Sequence, residues 1–191
     1  MKKIILASAS PRRKMLLKQI GLKFKVVISG VDEKLNPKLK PVEQAGYISA
    51  KKAQAVAALY ENALIIAADT TVVVDQEVLG KAKDEKDAIR MLRKLNGRMH
   101  TVVTGFTIID TDSRKKVTRS IMTKVWFRKL TDVEISDFVR REKPFDQAGA
   151  YSINGLTAVI IEKIEGDYFS ALGLPLYKLA KELKKFGVAV L

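Results

Sequence analysis

Apolar positions along the chain fall into two kinds of pattern: short unbroken runs, and stripes at helical spacing. Residues 3–8 form a run of the first kind and read as a short buried strand. Ser10 follows where an N-cap residue would accept a backbone N–H, and Pro11 suits the first helical position, where its missing donor has no partner to lose. Met15, Leu16, Leu17 and Ile20 supply an apolar helix face, Gly21 ends it, and Phe24 to Ile28 reads as a second strand. The first 28 residues therefore predict a β-α-β unit.

The alternation continues to the C-terminus. Pro41 opens a helix that carries Ala45, Ile48, Val56 and Tyr60 on one stripe, and Leu64 to Ala68 is a buried strand. "TTVVVDQEVLG" reads as strand, tight turn and strand. Asp84 and Asp87 stand in N-cap and N3-like positions before Ile89, Leu92 and Leu95, with Gly97 closing that helix. Strands are expected around 100–109 and 117–127, joined by "DTDSR". Thr131 and Glu134 make a capping box for a helix through Val139, a strand covers Thr157 to Ile164, and a last helix starts at Pro175. Strands interleaved with helices predict an α/β protein with a mixed, twisted sheet flanked by helices. Two weakly structured segments, 29–41 and 143–156, are long enough for loops with a function.

Composition narrows the chemistry. A chain of 191 residues, 47% of them hydrophobic, can bury a core as one domain or two small lobes. The absence of cysteine removes disulfides, thiol nucleophiles and cysteine zinc sites, and the single histidine, His100, cannot build a multi-histidine centre. Any metal would be a hard cation on carboxylate oxygens. No signal peptide and no run of 18 apolar residues is present, which gives a cytoplasmic, non-membrane expectation. The formal charge of +14 favours anionic partners without choosing among them; runs such as "KLAKELKKF" at 178–186 read as solvated helix faces.

Neither a Walker A loop nor a Gly-x-Gly-x-x-Gly motif is present, and "SAKK" at 49–52 lacks the partner motifs of serine acyl-enzymes. The charges that remain cluster where strands end. Asp69 follows the apolar run 64–68 and is expected at the carboxyl end of that strand, where α/β sheets place ligands. Glu33 lies in the loop after the second strand, Lys52 on the helix before Asp69, and Lys81 after the hairpin. Each alone reads as a cap or a surface charge. Together with Arg12 and Arg13 they would form a site for a polyphosphate and a divalent cation, with Ser10 and the start of its helix as an anion seat.

Five segments carry a family resemblance: "LASASPRRKMLL" at 6–17, "AADTTVV" at 67–73, "LNGRMHTVVTG" at 95–105, "KPFDQAGAYSINGL" at 143–156 and "GDYFSALGLPL" at 166–176. In order and spacing they resemble the Maf family of nucleoside triphosphate pyrophosphatases. The resemblance implies an elongated, two-lobed α/β fold related to the inosine triphosphate pyrophosphatases, with a central cleft and often a homodimer. It implies hydrolysis of a nucleoside triphosphate to the monophosphate and pyrophosphate with Mg²⁺ or Mn²⁺. It makes Asp69 the base or metal-orienting carboxylate, with Glu33, Lys52 and Lys81 in the same catalytic group and Glu33 and Asp69 as metal ligands. Ser8, Ser10, Arg12, Arg13, Thr70 and Asn154 would then bind or select substrate. Arg-Arg after Ser-Pro, Thr70, and Ala-Gly-Ala-Tyr at 148–151 are similar to the branch acting on dTTP and UTP rather than 7-methyl-GTP. Three positions depart from the family pattern: Asn154 replaces a glutamine, Gln147 a lysine and Ala82 a proline. The rival expectation is a basic nucleic-acid-binding or division-regulating protein, against which stands the lack of aromatic residues interleaved with a basic run.

Overall fold

The opening β-α-β unit forms as its pattern predicts. In a computed structural model, which describes residues 2–191, β1 (Lys3–Leu6), α1 (Pro11–Gln19) and β2 (Lys25–Val26) follow one another, and β1 and β2 pair in parallel. Ser10 caps α1 by accepting the N–H of Arg13 at 3.4 Å. Both strands are shorter than the apolar runs suggest. The buried stripe of α1 is Arg13, Leu16 and Leu17, at the i, i+3, i+4 spacing of one helix face; Met15 lies off that stripe and is half exposed.

A 3₁₀ turn at Pro41–Glu43 leads into α2 (Gln44–Ala57); Tyr60 falls beyond the end of α2 but packs against its apolar cluster. β3 (Ala63–Val74) runs twelve residues and turns into β4 (Glu77–Leu79) through Asp75 and Gln76, both at positive φ as a tight primed hairpin turn requires. α3 (Glu85–Leu95) is capped by Asp84, whose carboxylate accepts the N–H of Asp87 at 2.8 Å. The long hairpin β5 (Met99–Asp110) and β6 (Lys116–Phe127) precedes α4 (Asp132–Glu142), which has both bonds of the Thr131–Glu134 capping box.

The strand expected at 157–164 is only partly formed. Gly155–Val159 is a 3₁₀ turn, and β7 is Ile161–Glu165. β7 pairs with β6 only from Lys124 to Phe127, and the carbonyl of Ile160 is taken by Arg128 N–H, so the chain joins the sheet late. A short helix that the pattern did not reveal, α5 (Tyr168–Leu172), ends at Gly173 with φ +115°, and α6 (Leu176–Lys184) follows it.

The seven strands form one mixed sheet in the order β2-β1-β3-β5-β6-β7, with β4 also on β3. Alternation along β3 sends Leu64, Ile66, Ala68 and Val72 into a core shared with α1, α3, α4, α5 and α6, and Ile65 and Ala67 toward Ala53 and Val56 of α2. α2 thus covers one face and the other helices the opposite face. A strand buried on both faces reads as an unbroken apolar run, which is why the 64–68 signal was strong. Among the described residues no helix is long and apolar enough to cross a membrane.

Candidate active site

An open stretch of strand edge creates the site. β1 pairs with β3 only as far as Ile66, apart from one further bond from Ala7 N–H to Ile66, and β4 takes up the same edge only at Val72. Over Ala68 to Thr71 that edge of β3 has no strand neighbour, and a cavity of about 590 Å³ opens there, within the size range of small-ligand sites. The expectation for Asp69 needs correction: it lies in the middle of β3, opposite Gly105 of β5, and it is β1 that ends beside it. The carboxyl end that matters is the neighbour's.

α2 and the loop after β2 bring the charges together. Lys52 is buried, and its Nζ donates to Asp69 Oδ1 at 2.7 Å and lies 2.8 Å from Glu33 Oε1. Lys81 Nζ stands 3.7 Å from the other Glu33 oxygen, near the isolated bridge between Lys81 and Ala148. Partial burial alone would push the Glu33 carboxyl up, but the hydrogen bond and charge of Lys52, with Lys81 and Arg13, hold it below the ordinary carboxylate range. Two carboxylates that meet at one ammonium supply a donor set suited to a hard divalent cation, which takes one or two carboxylates and completes its shell with water and phosphate oxygens. No group of three or more His, Asp or Glu side chains adds to that pair among the described residues.

The start of α1 forms the adjoining wall, and its two arginines divide the work. Arg12 is partly exposed and lines the cavity. Arg13 is buried, and its guanidinium donates to Gly173 O at 2.9 Å, Ser8 Oγ at 3.2 Å and Thr70 Oγ1 at 3.1 Å. Thr104 donates its one hydroxyl proton to Ser170 O at 2.7 Å, so Thr70 donates to Thr104 and accepts from Arg13. Ser10 is engaged as the helix cap, while Ser8 accepts from both Ser10 N–H and Arg13. Arg13 is therefore an internal clamp that ties α1 to β3 and to the end of α5, rather than a free anion ligand. Arg13→Lys should destabilise the fold by about 3 kcal/mol in urea unfolding, because one ammonium cannot reach three diverging acceptors and buried acceptors are left unpaired.

The sequence signature described as Maf-like protein matches residues 3–186. The chain belongs to the Maf family. It is 48% identical over 191 residues to a protein of Dictyoglomus turgidum, covering 100% of this chain and 99% of that one. A protein of Pelotomaculum thermopropionicum is 46% identical, with 100% of both chains covered, and one of Methanosarcina mazei 48% identical, with 100% of this chain and 97% of the relative covered. All three are named dTTP/UTP pyrophosphatase.

The departures from the Maf pattern fall unevenly around the cavity. Asn154 is exposed and lies outside the lining; its Oδ1 accepts from Ser152 Oγ at 2.6 Å, while Ser152 and Ile153 themselves face the cavity. The shorter amide is held by its neighbour, one residue beyond the lining. Gln147 is likewise absent from the lining, between Asp146 and Ala148 which are in it, and Ala82 is buried in the main core.

Sequence reasoning missed Gly173, Thr104 and Ser170, since a backbone acceptor or a buried relay hydroxyl leaves no pattern. It singled out Tyr151 only within Ala-Gly-Ala-Tyr and not as a site residue; Tyr151 lines the cavity, and its hydroxyl lies 2.6 Å from His100 Nε2. Phe127 meets both rings edge to face. Burial pushes the His100 pKa down from 6.5 to about 4. Above pH 6.5 the ring is neutral in both folded and unfolded chains, and its contribution is constant. As pH falls below that value the unfolded chain takes up the proton first, so stability drops until the folded ring protonates too near pH 4. The expected loss is on the order of 3 kcal/mol. His100→Gln, which cannot titrate, should show a shallower fall in urea midpoint over the same window.

Proposed function

We propose that this Maf protein hydrolyses dTTP and UTP to the monophosphate and pyrophosphate. The observation that carries the reading is the single Lys52 ammonium shared by Asp69 and Glu33 at the open edge of β3. That junction offers a base, a second carboxylate and positive charge within one cavity. The pyrimidine branch follows the names of the full-length relatives. Chain 1–191 acts as one Maf domain, its two lobes meeting around the cleft. A cytoplasmic homodimer completes the proposal.

Glu33 and Asp69 would hold the divalent cation, Mg²⁺ or Mn²⁺, together with substrate phosphate oxygens; when bound it supplies charge to the phosphate oxygens. Lys52 already fixes Asp69 Oδ1, which leaves Oδ2 to accept a proton from the attacking water near the α-phosphorus. Lys81 and Arg12, exposed and partly exposed at the cavity, neutralise the negative charge of the triphosphate tail. Positioning and electrostatics supply most of the rate in such a reaction, so a rigid junction matters more than any one contact.

The deciding experiment incubates the purified protein with each canonical nucleoside triphosphate and Mg²⁺ and separates the products. Monophosphate and pyrophosphate in equal amounts from dTTP and UTP, abolished by EDTA, is the expected result. Release of orthophosphate with a diphosphate, or no preference among the nucleotides, would overturn the assignment.

A further inference from the structure

The loop that delivers Glu33 is attached to the molecule in an unusual way. Among the described residues no backbone–backbone hydrogen bond involves residues 28–35. Side chains of α2 hold the segment and the Asn36–Leu39 turn that follows it. Gln44, 3% exposed at the first position of α2, accepts the N–H of Asn36 at 2.9 Å through Oε1 and donates through Nε2 to Asn36 O at 2.7 Å and Leu39 O at 3.1 Å. Two turns later Lys51 donates to Asp32 O at 2.9 Å, and Lys52 meets Glu33 itself. Glu33 is thus suspended between two side-chain anchors.

We propose that Gln44 is a positioning residue that acts through Glu33, fixing the carboxylate against Lys52. The inference rests on the catalytic reading of Glu33 given above. Lys51 is a weaker anchor, because its contact to Asp32 O is exposed and water competes for it. Gln44 is buried and bonds three backbone groups of the Asn36–Leu39 turn at once, so it pins the end of a loop that has no ladder to join. A carboxylate misplaced by about 1 Å from its working geometry can cost on the order of 10²-fold in rate.

Gln44→Leu keeps the volume and removes all three bonds, while the freed loop groups reach water, so the fold should persist. With dTTP as substrate, kcat should fall about 10-fold or more with little change in KM or thermal midpoint. The same substitution made in a Glu33→Gln background should have no further effect on kcat, since a residue acting through Glu33 has nothing left to position.

Wild-type kcat in Gln44→Leu would overturn the inference. So would a loss that adds fully to that of Glu33→Gln, or one that tracks a fall in thermal midpoint. Absence of pyrophosphate release by the wild-type protein would instead defeat the functional reading on which it stands, which separates the two failures.

Discussion

Asp69→Asn should lower kcat for dTTP by roughly 10²- to 10⁴-fold, the range expected when a positioned general base is removed. The substitution is isosteric, and the amide oxygen still accepts from Lys52, so the 2.7 Å bond survives and the cavity keeps its shape. What disappears is a negative charge and the lone pair that takes the proton. Loss of that charge leaves Lys52 less neutralised but also weakens one of the two ligands proposed for the cation, so the comparison is made at saturating Mg²⁺, where the affinity for a triphosphate should hold or improve. The expected signature is therefore a large fall in kcat with KM unchanged or lower, and a thermal midpoint close to wild type. Turnover within 10-fold of wild type would show that another group accepts the proton. A parallel collapse of KM and thermal stability would show that Asp69 serves the fold first.

How far the sequence reveals this arrangement depends on the kind of signal. Caps and periodic stripes are local, and Ser10, Asp84 and the Thr131–Glu134 box are found where their spacing places them. The α/β class and the mixed sheet follow from the same alternation. Local pattern fails where tertiary pairing decides. Nothing in "AADTTVV" tells whether the strand ends at Ala68, because the end that opens the cavity belongs to β1, some sixty residues earlier in the chain. At 155–159 an apolar stretch with strand-like composition becomes a 3₁₀ turn because β6 offers a partner only further on. The two arginines after Ser-Pro look equivalent in sequence, yet burial separates them, and only the positions of Gly173, Ser8 and Thr70 turn Arg13 into a clamp. Glu33, Lys52, Asp69 and Lys81 were legible as charges and as matches to a family pattern. That they would share one site was expected from those matches, but the single ammonium between two carboxylates was not, since it depends on how closely one helix crosses one strand.

That crossing makes Gly105→Ala the substitution with the largest expected effect on the fold. Gly105 is the β5 residue opposite Asp69, and α2 runs directly over it. A methyl group there would lie closer than 3.0 Å to Gly46 N and to the Ala45 carbonyl group, all of it main chain that no side-chain rotation can clear. α2 must lift away or the strand must bend. Overpacking of this kind costs typically 1–3 kcal/mol and occasionally more; with backbone as the obstacle, about 3 kcal/mol or more is expected in urea unfolding. Gly46→Ala is the control, since its methyl group would meet Ser120 Oγ at 2.7 Å, an exposed side chain that can turn aside, and the loss should be much smaller. The same displacement reaches the chemistry, because Lys52 is carried on α2 and Asp69 is paired to Gly105 across the sheet. The Gly105→Ala protein that remains folded should therefore show reduced kcat as well as reduced stability, and Gly46→Ala should keep both. Equal stability of the two variants would mean that α2 is free to shift on the sheet, and the bond between Lys52 and Asp69 would then owe nothing to the close approach at Gly105.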